Sequence, residues 1–150
     1  MTSIVAYQKV STPHTTIQMI LPDNQGVDDA LRCTELCTLD GTTYVAVPDG
    51  VALPEQPAEI TVTTPVLTDE LKAQIKAASP HVALTYARTH ELIRSKYSVD
   101  DEAYFARIGV GVALGAYTFE PGEQDELLAF GAFVESARAW GRAQRVALGV

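Results

Sequence analysis

The segment from Gly122 to Val150, GEQDELLAFGAFVESARAWGRAQRVALGV, constrains the fold more than any other part of the chain. Leu127, Phe130, Val134, Ala137, Gly141 and Leu148 recur at intervals of three, four and seven, the period of one face of a helix. Glu123, Asp125 and Glu126 gather in its first turn and Arg138, Arg142 and Arg145 toward its end. Each terminus therefore carries the charge that complements the helix dipole, and Pro121-Gly122 supplies a start. The spacing predicts one amphipathic helix of about 25 residues, roughly 38 Å long at about 1.5 Å per residue. A helix of that length on a small domain needs an apolar surface to lie on, from the preceding helices or from another subunit.

The rest of the chain can supply such a surface. Of its 150 residues 47% are hydrophobic and 20% charged, enough for a real core in one domain or two small ones. The net charge of −8 repels phosphate backbones and argues against a nucleic-acid partner. The charge is uneven: residues 1–60 hold Lys9 and Arg32 against eight acids, which points to an acidic face and a basic complement. No run reaches the ~18 apolar residues of a membrane span, so no membrane role is expected, and the pattern of Met1–Val10, with Lys9 after the apolar residues, leads to no expectation of a signal peptide.

Up to residue 50 the pattern is β-like. Ser3–Val10 is β-prone, Thr15–Leu21 alternates as a half-buried strand, and residues 22–26 form a turn. Val27–Arg32 has room for a helical turn behind Asp28 and Asp29. In ELCTLDGTTYVAVPDG, Asp40-Gly41 joins two strands in a type I′ hairpin. A two-residue turn sets Leu39 opposite Thr42, Cys37 opposite Tyr44, Leu36 opposite Val45 and Glu35 opposite Ala46. Cys33 and Cys37 then lie on one strand face about 13 Å apart, too far for a disulfide, and read as buried structural thiols.

Residues 51–66 are proline-rich, a connector or an edge strand over Ile60–Thr64. Beyond them the period is helical. Thr68 caps a helix with Leu71 and Ile75 on one face, and Ser79 caps another that begins at Pro80. Val82, Leu84, Ala87, Leu92 and Ile93 are its expected apolar face. Ser98 and Asp101 have capping-box spacing. Gly109, Gly111 and Gly115 either fray the helix that follows or permit close packing, and weakening near Gly109 is the expectation.

Motifs with chemistry do not hold. His90-Glu91 opens an HExxH string, but Arg94 stands where the second histidine belongs. GVGVALG lacks the spacing of a dinucleotide or phosphate loop. Asp100, Asp101 and Glu102, like Glu120, Glu123, Asp125 and Glu126, read as helix-start charges. No nucleophile and base are tied together, so an enzyme, a cofactor and a metal are not expected. Trp140, between Arg138 and Arg142, is either a packing anchor with arginine stacked on it or a contact residue. The apolar tail RVALGV reads as a segment that docks.

YVAVPDGVALPEQPAEI, LTDELKAQIKAASPHVALTYARTHELIRSKYSVDDEAYFARIGVGVALGAYTFEPGE and FVESARAWGRAQRVALGV together resemble small proteins encoded among the tail and tail-fibre genes of bacteriophages and prophages. The likeness covers roughly residues 34–150 and is strongest in RSKYSVDDE and at Trp140-Gly141. It implies a tail or baseplate-associated protein, made in the host cytoplasm and resident in the virion tail, with other tail or fibre proteins as partners.

The resulting expectation is an α+β chain: a β-rich module over 1–50, a connector over 51–66, and a bundle of three to four helices over 67–150. Its function would be structural or adaptor-like, with a tail-fibre assembly chaperone and a capsid decoration protein as alternatives. Trp140, Arg138, Arg142 and Phe133 on the long helix, and Tyr44 and Val45 on the β module, are the candidate contacts. Self-association would suit a component of a symmetric tail.

Overall fold

A computed structural model describes residues 1–23 and 25–150; position 24, inside the expected 22–26 turn, lies outside the described residues. The fold is α+β. Among the described residues, five strands, β1 (Thr2–Gln8), β2 (Val10–Ser11), β3 (Thr16–Ile17), β4 (Thr34–Leu39) and β5 (Thr42–Pro48), precede four α-helices, α1 (Asp69–Ala78), α2 (Pro80–Arg94), α3 (Val99–Ala113) and α4 (Glu123–Ala147). The strand expected over Thr15–Leu21 contracts to β3, paired with β2. Asp28 caps a 3₁₀ turn over Asp29–Leu31, as its acidic start allows. The chain forms two compact units, residues 1–84 with 144–150, and residues 85–143. These do not follow the expected boundaries at 50 and 66, because the connector and α1 belong with the sheet.

In the first unit the antiparallel order is β1-β5-β4. Asp40 (φ 48°) and Gly41 (φ 80°) are both left-handed, as a type I′ turn requires. Leu39 pairs with Thr42 and Cys37 with Tyr44 as expected, but Glu35 then pairs with Val45 and Thr34 with Ala46. A bulge at Leu36 shifts the expected register by one. The extra residue lets Leu36 and Cys37 enter the same apolar cluster, with Ile4, Ala46 and Ile75. Cys33, upstream of the bulge, joins the other cluster with Val5, Tyr7, Met19, Val45, Val47 and Ile60. The two thiols thus lie in opposite clusters rather than on one face, and burial pushes both up in pKa.

Both faces of this sheet are covered, which is why Ile4, Val5, Ala6 and Tyr7 are buried in succession. Val51, Leu53 and Val62 of the connector pack on one cluster; Leu71 of α1 and Leu148 and Val150 of the chain end pack on the other. The proline-rich connector is therefore folded onto the sheet. Its edge pairing is one bridge, Ala6 N–H to Thr63 O and Thr63 N–H to Ala6 O, each 2.8 Å. The tail docks as its composition suggests: Thr2 Oγ1 donates to Ala147 O at 2.8 Å, and a Cβ at Gly149 would meet Thr2 O and Ile4 at 3.3 Å.

Thr68 caps α1, accepting from Leu71 N–H at 3.2 Å, and Ile75 is fully buried. Ser79 behaves differently from its expected role. Its backbone ends α1 and starts α2, accepting from Ala83 N–H at 3.1 Å, while its side-chain hydroxyl is buried without a partner among the described residues. One residue shared by two helices has its side chain enclosed by the junction. The buried line of α2 also differs from expectation, running Val82, Thr85, Thr89, Ile93. This is the 3–4–4 spacing of one face; Leu84, Ala87 and Leu92 lie off it and are exposed. Thr85 and Thr89 tolerate burial partly because Thr89 Oγ1 donates to Thr85 O at 2.8 Å.

Candidate interaction surface

Within the second unit, α3 begins at a reciprocal cap. Asp101 N–H donates to Ser98 Oγ at 3.0 Å, and Ser98 N–H to Asp101 Oδ2 at 2.7 Å. Hydrogen bonds from the Ser98 backbone and then its hydroxyl hold the Asp101 pKa below the usual range. Asp101 is thereby committed to the cap. Arg94, at the failed histidine position, reaches Glu102 at 2.5 Å and ties the end of α2 to α3.

α3 does not weaken at Gly109. It runs to Ala113, and only Gly111 of its glycines is required by packing: a Cβ at Gly111 would lie 2.9 Å from Tyr117, whereas one at Gly109 would make an ordinary contact with Leu127 at 3.5 Å. The helix ends at Gly115 (φ 70°), where Ala116 N–H returns to Gly111 O at 2.8 Å. Phe105 and Ile108 form its buried line. Phe105 stacks on Phe130 at 4.9 Å, and Tyr97 meets Phe130 and Phe133 edge-on at 5.0 and 5.7 Å. Lys96 Nζ lies 4.8 Å from the Phe133 ring.

The start of α4 is fixed by a carboxylate that charge patterning undervalued. Glu123 is buried and accepts from Tyr104 Oη, from Tyr117 Oη at 2.8 and 3.0 Å, and from Glu120 N–H at 2.8 Å. Those bonds, Tyr104's above all, hold its pKa low, while the carboxylate pushes the Tyr104 hydroxyl up to about 12. Glu123 joins α3, the following loop and α4. Tyrosines 19 and 6 residues before a glutamate carry no recognisable spacing, so only the fold reveals the cluster.

On the outer side of α3 lies the most conspicuous surface of this unit. At about 100° per residue, the positions between Glu102 and Arg107 around the helix are Ala113, Ala106, Val99, Val110, Ala103 and the C-cap Leu114. All six are apolar and all are exposed, Val99 by 64%, Val110 by 58% and Leu114 by 77%. An α-helix with apolar residues on both sides normally has both sides covered. The signal was present in the sequence as the spacing 99, 103, 106, 110, 113, and was obscured there by the glycines.

The expected contact residues divide between the units. Trp140 is 37% exposed on α4, sharing a side with half-buried Phe133 seven residues earlier. Arg138 and Arg142 do not flank its ring: residues two apart on a helix diverge by about 200°, and Arg142 is instead bonded to Glu135. Tyr44 and Val45 are on β5, the central strand, and Val45 is only 1% exposed. Their strand therefore offers no open edge.

Clefts among the described residues include one of about 360 Å³ beside β1, lined by Gln8, Glu59, Thr61 and Thr63, and one of about 330 Å³ lined by Lys96, Tyr97, Asp101 and Glu126. Among the described residues, no three His, Cys, Asp or Glu side chains are grouped to hold a metal ion, and no helix is long and apolar enough to cross a membrane. Comparison with protein-family models, curated proteins and solved structures gives no match.

Proposed function

We propose that this chain is a non-enzymatic structural or adaptor subunit of a bacteriophage tail, in the baseplate or fibre-attachment region, acting through protein contacts. The observation that carries the reading is the uncovered apolar side of α3, since contiguous apolar surface rimmed by polar residues marks protein contact sites. Trp140 and Phe133 on α4 add aromatic groups of the kind that dominate contact energies. The unit containing the sheet holds ten acidic residues against five basic ones, which favours a basic partner for that unit. The tail assignment itself is supported by the sequence likeness over residues 34–150.

Quantitative mass spectrometry of gradient-purified particles tests it. A fixed copy number relative to the major tail protein, in a small multiple of the tail's symmetry, is the expected result. Presence in the lysate with absence from finished particles would replace the structural role with that of an assembly chaperone.

A further inference from the structure

We infer that the apolar side of α3 pairs, antiparallel, with the same side of a second copy of this chain. The inference rests on reading that side as a contact surface and adds its occupant. Val99, Ala103, Ala106 and Val110 have the 4–3–4 spacing of a two-helix seam. Laid against itself about a two-fold axis, the helix sets Ala103 level with Ala106 of the second copy and Val99 level with Val110. The match is reciprocal, as an isologous contact requires. Two central alanine layers permit close approach of the helix axes, and a valine layer closes each end. Ala113 and Leu114 extend beyond the overlap.

Charge selects this arrangement. Asp100 and Arg107 are exposed on one flank of the seam, and neither takes part in an ion pair among the described residues. Seven residues, about 10.5 Å of helix, keep them apart within one chain. Antiparallel pairing brings Asp100 of each copy beside Arg107 of the other and forms two symmetric ion pairs. On the opposite flank Glu102 is already held by Arg94 and faces Gly109 of the second copy, so no like charges oppose each other. A parallel pairing would direct Arg107 toward Glu102, which Arg94 occupies, and leave Asp100 unpaired.

Sedimentation equilibrium of the full chain at low salt tests the pairing. A seam of four layers belongs at the weak end of interface sizes, so a dissociation constant on the order of 10–100 µM is expected. Val110→Asp should abolish dimer formation, with its circular dichroism and melting unchanged. Asp100→Arg should raise the dissociation constant about tenfold or more, and Asp100→Arg with Arg107→Asp should restore it to within about threefold. A wild-type chain monomeric up to about 1 mM overturns the inference, as does a silent Asp100→Arg or a double variant no stronger than the single one. A monomer counted in finished particles would sink the pairing alone; a dimer missing from particles would sink the structural tail reading alone.

Discussion

In the sheet-containing unit, the apolar residues of β1 and β5 are covered on both sides, by the connector on one and by α1 and the chain end on the other. In the helical unit, α3 buries Phe105 and Ile108 while six apolar residues opposite them stay exposed. Both elements carry apolar residues on two sides, yet among the described residues the sheet is covered on both and α3 on one. Apolar surface left open beside a well-packed aromatic cluster is the observation on which the proposed contact role rests, because the same unit packs closely elsewhere.

The sharpest contrast comes from one substitution in each region. Ile75→Ala empties a fully buried site beneath the sheet and should cost about 2–5 kcal/mol in chemical denaturation. Val110→Asp on α3 should leave the stability of the dilute monomer within about 0.5 kcal/mol. Comparable losses at both positions would mean that the α3 side is covered within the monomer.

Two glycines in the helical unit give the next largest effect. An added Cβ at Gly111 would press on Tyr117 at 2.9 Å, so Gly111→Ala should destabilise by about 1–3 kcal/mol despite its better helix propensity. Gly131→Ala has nothing within 4 Å and should stabilise by up to about 1 kcal/mol. Opposite signs would be read from thermal melting.

Glu123 gives the helical unit a pH signature. Its folded pKa is depressed from 4.5, so its contribution is present above that value and is lost as pH falls through the depressed one. Acid unfolding monitored through the Tyr97–Phe105–Phe130 cluster should therefore have a limb that Glu123→Gln flattens. Tyr104, raised to about 12 in the folded protein chiefly by its bond to Glu123, should titrate at lower pH in ultraviolet difference spectra of that variant. The smallest effect belongs to Ser79→Ala. A capping side chain would cost about 1 kcal/mol on removal, whereas a buried hydroxyl without a partner should be neutral or gain about 1 kcal/mol.

Local signals in the sequence carried much of the architecture. The hairpin turn at Asp40-Gly41, the cap at Thr68, the box at Ser98 and the apolar line of α4 all depend on residues within a few positions of one another. What was not legible depends on distant partners. The bulge at Leu36 exists because Leu36 and Cys37 reach one cluster with Ile75, and a strict two-residue period cannot express that. Thr85 and Thr89 took the buried line of α2 from the leucines because position on the helix face, not hydropathy, decides which side meets a neighbour. Glu123 has the local pattern of a helix-start charge, and its tyrosine donors lie in other segments. The open side of α3 is written in its spacing, but Gly109, Gly111 and Gly115 interrupt the helical signal in the same stretch.

A methyl-resolved nuclear magnetic resonance dilution series compares the two regions most directly. The methyl signals of Val99, Ala103, Ala106 and Val110 should move together with concentration while those of Val5, Val45 and Val47 stay fixed. Movement confined to other methyls, or none across the series, would contradict the account.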